Sequence, residues 1–421
     1  YLKKWHIKYN PKADELAKEE GFDSWGEALK YHWWPIVPKD KNKPTTFPWV
    51  LKDFTLTGKV FVRNPYYWQV DTAGNQLPYI DKVVSSIVDA EVYQLKIITG
   101  EADVAYVGTS FENYPLYQEN EEQGGYRAHL VPGVFGSQVA FGIHQTIDDP
   151  ILRELFRDIR FRQALSLAIN RQEINNTAYY GQAVPRQATI TSDASFYKEE
   201  WGESYTQYDP EEANRLLDEM GLTEQDKRGF RLGPDGKSIL LLVEFSGGQA
   251  TSTLELVKEY WEAIGLQVSL KPQPGDFFFE ERAGAPDHAI LAETLYGSSE
   301  MYSYIDGPLT TSEHEWDTFW REWWDTKGQA GEEPPEEIKQ FYKWEEQWSK
   351  TVLGTEEYRE LGEKIFDFYA EKLYLIGTVG LVPQIYIANK NIGNVPKRFA
   401  PAQTDWPGDL VYTAQLLFFK K

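Results

Sequence analysis

Glu293 is the residue whose neighbours most suggest chemistry. It follows an apolar run, residues 289–292, that has the composition of a buried strand. A carboxyl group at the end of such a strand could act as a general acid, because glycoside hydrolases use two carboxyl groups about 5–10 Å apart. It could also be an exposed or salt-bridged glutamate without a function, or the acceptor of a ligand hydroxyl or ammonium group. Since the chain has 65 acidic residues, the sequence does not select among these three.

Aromatic residues follow Glu293 in the chain. They are Tyr296, Tyr302, Tyr304, Trp316, Trp320 and Trp323. The tryptophans are spaced so that they share one helical face, which is more typical of a core helix than of a ligand site. The tyrosines lie near Gly297 and Gly307, and loops between elements carry function more often than helix faces do. We therefore expect the tyrosines, more than the tryptophans, to contact a ligand.

The sequence lacks the common catalytic and metal-binding motifs. It has no Gly-x-Ser-x-Gly elbow, no phosphate-binding Gly-Lys-Ser/Thr loop and no Asp-rich calcium loop. His314-Glu315 has no second histidine at the spacing of a zinc-binding helix, and the chain has no cysteine. His144 stands alone, and a lone histidine is more often packed or hydrogen-bonded than a ligand. The sequence thus predicts that the protein is not an enzyme and holds neither a metal nor a cofactor.

Composition limits the partners and the organisation of the chain. Its 421 residues can bury substantial cores and should divide into two or more lobes. Acidic residues number 65 against 43 basic ones, and the formal net charge of −22 argues against nucleic acid and anionic lipid as partners. No apolar stretch approaches the ~18 residues that a membrane span needs. We expect a monomer.

The elements that must position these residues are organised around residues 158–171. Apolar residues recur there at steps of three and four, which predicts one buried helical face. Asp158 is placed to cap this helix, and Asn170 to cap a second one that ends at Gly181. The small alanine side chains on the apolar face favour close packing against a sheet.

Two stretches have the pattern of β-α-β units, which normally place two parallel strands in one sheet. The first covers residues 83–106 and the second residues 239–271. Between them, the glycine-rich residues 133–143 are the candidate hinge crossing, with a return crossing near residues 388–394. Residues 312–350 predict two aromatic helices separated by an acidic turn at residues 331–336.

Residues 158–174, Asp-Ile-Arg-Phe-Arg-Gln-Ala-Leu-Ser-Leu-Ala-Ile-Asn-Arg-Gln-Glu-Ile, resemble the family 5 solute-binding proteins of ABC importers. These are binding proteins for peptides and, in some branches, for oligosaccharides or nickel. Further matches are residues 63–68, 79–81, 99–105, 208–214 and 394–396. They occur in the family's order, so the resemblance covers most of the chain.

The resemblance implies an α/β, two-lobed periplasmic-binding-protein-like fold (type II, large cluster) with mixed sheets flanked by helices. Residues 1–140 with residues 390–421 would form the remainder of the first lobe, and residues 141–389 the second, ligand-binding lobe. No stretch matches the N-terminal part of the family's fold. We therefore expect the C-terminal portion of a longer exported protein, which should bind ligand poorly without the rest of the first lobe.

The function implied by the resemblance is an extracytoplasmic solute receptor of an ABC transporter. It would capture an oligosaccharide or oligopeptide and deliver it to the permease subunits in the membrane. It would act in the periplasm or at the cell surface, anchored to the membrane or free. The alternative from another class is a secreted glycoside hydrolase that uses paired carboxylates.

The resemblance also places the strand of Glu293 at the ligand cleft. The residues expected to bind ligand are Glu293, Tyr296, Tyr302, Tyr304, Trp316, Gln138 and His144. Peptide binders need basic groups facing the cleft, whereas sugar binders need flat apolar rings. Because no Lys or Arg lies between Arg282 and Arg321, the sequence favours an oligosaccharide over an oligopeptide.

Overall fold

The computed structural model describes residues 1–33, 41, 43–106, 108–246, 250–282, 284–295, 298–300, 303, 316–395 and 414–420. The strands are β1 (Trp49–Thr55), β2 (Gly58–Arg63), β3 (Lys82–Ser86), β4 (Val104–Ala105), β5 (Tyr126–Val131), β6 (Ser137–Ile143), β7 (Val184–Pro185), β8 (Leu240–Ser246), β9 (Gln267–Gln273), β10 (Ile290–Leu295), β11 (Leu375–Gly377), β12 (Val379–Gly380), β13 (Gln384–Asn389), β14 (Ile392–Gly393) and β15 (Phe418–Phe419).

The α-helices are α1 (Ala13–Glu19), α2 (Trp25–Trp33), α3 (Ala90–Ile98), α4 (Tyr114–Glu119), α5 (Glu121–Gly124), α6 (Pro150–Arg157), α7 (Ile159–Leu167), α8 (Arg171–Ala178), α9 (Glu199–Glu203), α10 (Pro210–Glu219), α11 (Thr251–Ala263), α12 (Gly275–Phe277), α13 (Thr318–Asp325), α14 (Glu336–Trp348) and α15 (Glu356–Lys372). Short 3₁₀ helices form at Leu2–Lys4 and Phe111–Asn113, and a π-helix forms at Phe278–Arg282.

The main sheet has five strands in the order β11-β6-β10-β8-β9. Strands β8, β9 and β10 are parallel to one another, whereas β6 runs antiparallel to β10 and β11. The second predicted β-α-β unit is confirmed, because β8 and β9 are parallel neighbours joined by α11. The fold is thus a mixed α/β fold.

The first predicted β-α-β unit is wrong, although its three elements exist. Strand β3 pairs with β2 in a small antiparallel sheet, β1-β2-β3. Strand β4 instead pairs with β13 in a second sheet, β4-β13-β5. The helix between them therefore joins two sheets rather than two strands of one sheet.

The capped helix pair predicted around residues 158–171 is confirmed. The Asp158 carboxylate accepts from the backbone N–H of Arg160, at the start of α7. The Asn170 side chain accepts from the backbone N–H of Glu173, at the start of α8. Gly181 follows α8 with φ +71°, a left-handed conformation that glycine adopts without strain. Helices α7 and α8 share one core with α10, α11 and one face of the main sheet.

The opposite face of the main sheet carries a second core, here called the aromatic cluster. Its aromatic members are Phe196, Trp201, Trp316, Trp320, Phe341, Tyr342, Trp348, Tyr358, Phe366, Phe368, Tyr369 and Tyr374. The two predicted aromatic helices are α13 and α14, and their buried tryptophans belong to this cluster. The interpretation of Trp316 and Trp320 as core residues is therefore confirmed.

Two chain segments connect the main sheet with the second sheet and run side by side. They are residues 132–136, before β6, and residues 381–383, before β13. The backbone N–H of Leu381 donates to the carbonyl oxygen of Phe135 at 2.9 Å. A Cβ atom added at Gly133 would lie 2.1 Å from the carbonyl oxygen of Val382, so only glycine permits this approach. The predicted hinge, residues 133–143, therefore overlaps with β6, an inner strand of the main sheet. Only its first residues lie in a connecting segment.

The division of the chain into residues 1–140 with 390–421 and residues 141–389 stays a prediction. The sheet pairings bear on its second boundary, because β13 pairs with β4 and β5. These partners belong to the stretch assigned to the first lobe, whereas β13 itself lies in the stretch assigned to the second. The return crossing between sheets accordingly comes before β13, not near residues 388–394.

Candidate functional site

The carboxyl ends of the parallel strands β8 and β10 meet at one edge of the main sheet. Ala292 pairs with Phe245, which brings the next residues, Glu293 and Ser246, side by side. The hydroxyl Oγ of Ser246 donates to Oε2 of Glu293 at 2.7 Å. In open α/β sheets this edge is where ligands bind, so Glu293 and Ser246 form the core of the candidate site.

The Glu293 carboxyl group is nearly inaccessible in this conformation, with 1% of its surface exposed. Its Oε1 also accepts from the backbone N–H of Thr294 at 3.0 Å. Burial raises the pKa of Glu293 to about 6, and the hydrogen bonds from Ser246 and Thr294 oppose that rise. The group can therefore accept or donate a hydrogen bond near neutral pH.

Gln138 lies at the same edge, because β6 begins where β10 ends. Its carbonyl oxygen accepts from Oγ1 of Thr294 at 3.0 Å, and its surface is partly buried. Glu293 itself pairs with Ala140, two residues further along β6. Gln138 and Glu293 thus lie at the same edge of the main sheet, and the role of Gln138 in ligand binding stays a prediction.

His144 follows the other end of β6 and lies at the opposite edge of the sheet from Glu293. Its ring stacks on His288 with centroids 3.9 Å apart. Nδ1 lies 2.9 Å from the carbonyl oxygen of His288, and Nε2 lies 3.0 Å from Oγ1 of Thr146. Burial, with the neighbouring His288, lowers the pKa of His144 to about 2. His144 is thus a neutral, packed residue that the structure does not bring to the site.

Trp316 is also separated from the site by packing. It is completely buried, and its ring stacks on Tyr374 with centroids 4.3 Å apart and planes 9° apart. The backbone N–H of Gln145 donates to the carbonyl oxygen of Trp316 at 2.7 Å, so Trp316 lies near the edge of His144 and not near that of Glu293. Tyr296, Tyr302 and Tyr304 lie outside the described residues, so their role stays a prediction.

A second buried acid, Glu244, lies beside the site and was not predicted. Its side chain is fully buried, and its Oε2 lies 2.6 Å from Nη2 of Arg282 in the π-helix. Gln273 and Lys271 also contact its Oε1. Burial alone would raise the pKa of Glu244, but these donors hold it below the ordinary value. The ion pair fixes residues 275–282 against the sheet at the edge where Glu293 lies.

Ser246 was not predicted as a site residue, because a serine at the end of an apolar strand has no feature that distinguishes it from other serines in the sequence. The available signal was Gly247-Gly248 directly after it, since glycines after a parallel strand permit close approach of a ligand. The Glu244–Arg282 pair gave no signal, because the two residues are 38 apart in sequence and meet only in the folded chain.

Among the described residues, no three His, Asp or Glu side chains cluster closely enough to hold a metal ion. No described helix has the length and apolarity needed to cross a membrane. The chain thus has a mixed α/β fold whose buried acid and serine lie at the carboxyl edge of parallel strands, where open α/β sheets bind ligands.

Residues 9–326 match the family described as bacterial extracellular solute-binding proteins, family 5, and the chain belongs to this family. The resemblance found in the sequence is confirmed. The family consists of non-catalytic binding proteins, which confirms that the protein is not an enzyme and sets aside the glycoside hydrolase alternative.

The relatives are named for different ligands. The periplasmic alpha-galactoside-binding protein of Rhizobium meliloti is 30% identical over 238 residues, which are 51% of this chain and 33% of that protein. A solved structure of the oligopeptide-binding protein OppA is 31% identical, with a TM-score of 0.63, and the match covers 100% of this chain and 70% of that one. The chain thus spans about a third of the length of the alpha-galactoside-binding protein.

The fold is shared with a further solved structure, the periplasmic binding protein MelB of Agrobacterium fabrum in complex with stachyose. The TM-score is 0.71 at 22% identity, and the match covers 99% of this chain and 61% of that one. At this identity the likeness shows the fold alone. The predicted mixed-sheet, periplasmic-binding-protein fold is confirmed by these structures.

Proposed function

We propose that the protein is an extracytoplasmic receptor that captures an oligosaccharide and delivers it to the permease of an ABC transporter. It acts as a monomer in the periplasm or at the cell surface, either anchored to the membrane or free. Its small-molecule ligand binds at the carboxyl edge of the main sheet, with Glu293 as the central polar contact.

The pairing of Glu293 with Ser246 is the observation that carries this proposal. A buried carboxyl group bonded to a hydroxyl can exchange that partner for a sugar hydroxyl without leaving a buried charge unpaired. Buried polar sites built for a hydroxyl reject ligands that lack one. Glu293 therefore suits a ligand rich in hydroxyl groups.

The basic side chains near the site are already paired with acidic residues. This argues against a ligand that carries a carboxylate, such as a peptide. Arg282 pairs with Glu244 at 2.6 Å and with Asp287 at 2.8 Å. Lys271 lies 3.2 Å from the same Glu244. A ligand carboxylate would have to compete with these carboxylates for its counter-ion, whereas a sugar needs none.

One relative supports the sugar, and one supports the alternative. The Rhizobium meliloti relative is named for alpha-galactosides. The OppA structure is named for oligopeptides and matches the whole chain at 31% identity. An oligopeptide is therefore the second candidate ligand.

Ligand capture requires the two predicted lobes to close on each other. The crossing segments, residues 132–136 and 381–383, are few and adjacent, as expected of a hinge. A ligand favours closure only through contacts that it makes better in the closed state. We propose that Glu293, Gln138 and the tyrosines Tyr296, Tyr302 and Tyr304 supply these contacts.

Calorimetric titration of the full-length protein with stachyose and with a tetrapeptide tests the proposal. We expect saturable binding of stachyose, no turnover on prolonged incubation, and loss of binding in Glu293→Ala. Tyr296→Ala or Tyr302→Ala should each weaken binding by ~1–3 kcal/mol, the scale of burying one large side chain. Glu259→Ala, on the exposed side of α11, is the control. Binding of the peptide but not of any sugar would overturn the ligand class.

A further inference from the structure

The backbone ladder between β10 and β6 ends at the pair Leu295 and Ser137. Beyond this pair, the side chain of Ser298 continues the connection. Its Oγ accepts from the backbone N–H of Gly136 at 2.8 Å and donates to the carbonyl oxygen of Leu295 at 3.1 Å. One hydroxyl group therefore connects the end of the strand that carries Glu293 with the residue before β6.

Gly136 is the last residue of the first crossing segment, residues 132–136. The residue before it, Phe135, accepts at its carbonyl oxygen from the backbone N–H of Leu381 in the second crossing segment, at 2.9 Å. This carbonyl group and the N–H of Gly136 belong to the same peptide group. A single peptide group thus bonds to Ser298 on one side and to the other crossing segment on the opposite side.

Ser298 is buried and held in place from a second direction. Its carbonyl oxygen accepts from the backbone N–H of Thr191 at 2.8 Å and from the Thr191 hydroxyl at 3.0 Å. Two residues further on, the Glu300 carboxylate accepts from the hydroxyl of Ser195 at 2.6 Å. Because Ser298 has 0% of its surface exposed, losing its hydroxyl would leave the buried N–H of Gly136 without this acceptor.

The peptide group between Phe135 and Gly136 can report on closure, because a peptide group is planar and turns as a unit. Closure of the two predicted lobes requires the backbone of the crossing segments to rotate. Such a rotation changes the bonds to Ser298 and to Leu381 together, so they are made better in one conformation than in the other. A bond that differs between two conformations shifts their populations by that difference in free energy.

The strand that carries Glu293 is the part of the candidate site that Ser298 contacts. Leu295, whose carbonyl oxygen accepts from Ser298, is two residues beyond Glu293 on β10. A ligand bonded to Glu293 holds β10 in place and thereby favours the conformation in which Ser298 bonds to Gly136. Because energetic coupling between two sites is reciprocal, that bond in turn favours the ligand.

We propose that Ser298 is a positioning residue that couples the candidate ligand site to the crossing segments. It holds the peptide group of Gly136 in the orientation that belongs to the ligand-bound conformation. The coupling to a ligand rests on the proposed function, since it needs a ligand at Glu293. The link between Ser298 and the crossing segments does not, and it can be tested without a ligand.

Hydrogen exchange of the full-length protein without ligand tests the link. Ser298→Ala should raise the exchange rates of peptides covering Gly136 and Leu381 about two- to tenfold, the effect of losing one hydrogen bond. Peptides of α7 serve as the internal reference for global stability. Ser195→Ala is the matched control, because in the described structure its hydroxyl bonds to Glu300 and not to a crossing segment. Unchanged exchange in Ser298→Ala, or an equal rise in both variants, would overturn the proposal.

Calorimetric titration and exchange with stachyose or a tetrapeptide test the coupling to a ligand. With whichever compound the wild type binds, Ser298→Ala should bind about two- to tenfold more weakly and lose the ligand-induced protection of Gly136. A merely structural Ser298 would leave that protection in place, and this result would overturn the coupling. If the wild type bound neither compound, the proposed function and the coupling to a ligand would both fail, whereas the exchange rates without ligand would still decide the link.

Discussion

The guanidinium of Arg171 reaches across 206 residues of sequence to the backbone of Gly377, with Nε donating to its carbonyl oxygen at 3.0 Å. Nη1 and Nη2 donate to the carbonyl and hydroxyl oxygens of Ser166, each at 2.9 Å. Gln187 completes the group, donating to the Ser166 hydroxyl and accepting from the N–H of Gly377. Arg171 therefore ties the corner between α7 and α8 to strand β11.

Replacing Arg171 by Met should destabilise the protein by about 2–4 kcal/mol. The side chain is completely buried, and its loss leaves the Gly377 and Ser166 carbonyl oxygens without these donors. Burial lowers the pKa of Arg171 to about 9. Urea unfolding followed by tryptophan fluorescence measures the change.

Arg215→Met is the control, because Arg215 is an exposed helical arginine that pairs with Glu212 and Glu219. Exposed ion pairs contribute little, so this variant should unfold close to the wild type. If both variants lost the same stability, the Arg171 hydrogen bonds would not be the cause.

The helix pair around Arg171 could be predicted because caps and apolar periodicity are local signals. Strand pairing is not local. The residues of β4 pair with Ile387 and Ala388, far away in sequence, and nothing in β4 itself distinguishes that partner from β3. The first β-α-β prediction failed for this reason.

The candidate site could likewise be predicted only where its signal is local in the sequence. Glu293 could be found because a carboxylate on an apolar strand is conspicuous in sequence. His144 and Gln138 are close in sequence, yet only Gln138 lies at the edge of Glu293, because β6 runs antiparallel to β10. The direction of β6 within the sheet cannot be read from its residues.

Substituting Gly133 by Ala should destabilise the crossing segments. The added methyl group would lie 2.1 Å from the carbonyl oxygen of Val382, so one segment must move. Overpacking of this kind costs about 1–3 kcal/mol. Thermal and urea unfolding measure the loss, and small-angle scattering reports any change in the mean separation of the predicted lobes.

Gly26→Ala is the matched control for Gly133→Ala. The nearest atom to its new methyl group would be Oγ of Ser24, at 3.8 Å, and Gly26 lies within helix α2. Alanine should leave stability unchanged or raise it by up to about 1 kcal/mol. If the stability of Gly133→Ala equalled that of the wild type, the two crossing segments would be able to move apart without cost.

Glu112 should couple energetically to the start of α11. The hydroxyl of Ser252 donates to its Oε1 at 2.6 Å, and the hydroxyl of Tyr180 donates to its carbonyl oxygen at 3.0 Å. These contacts join the two stretches predicted to form separate lobes. A double-mutant cycle of Glu112→Ala and Ser252→Ala should give a coupling of about 0.5–1.5 kcal/mol in urea unfolding. Strictly additive effects would contradict the contact.

The titration of Glu293 should make stability depend on pH in a direction opposite to that of most carboxylates. Its pKa rises from 4.5 to about 6 on folding, because burial disfavours the charged form. The folded state therefore binds this proton more tightly than the unfolded state does. The resulting stability is complete below pH 4.5 and is lost as pH rises through 6, by about 2 kcal/mol in total.

Glu293→Gln tests this directly, because glutamine keeps a neutral polar group and has no proton to lose. Relative to the wild type, the variant should gain about 2 kcal/mol between pH 4 and pH 8, measured by urea unfolding at a series of pH values. Glu259→Gln, on the exposed side of α11, controls for the general loss of one acid. A stability difference between Glu293→Gln and the wild type that stays constant with pH would show that Glu293 ionises in the folded protein as it does in the unfolded chain. The carboxyl group would then be too well solvated to hold a sugar hydroxyl in the way proposed.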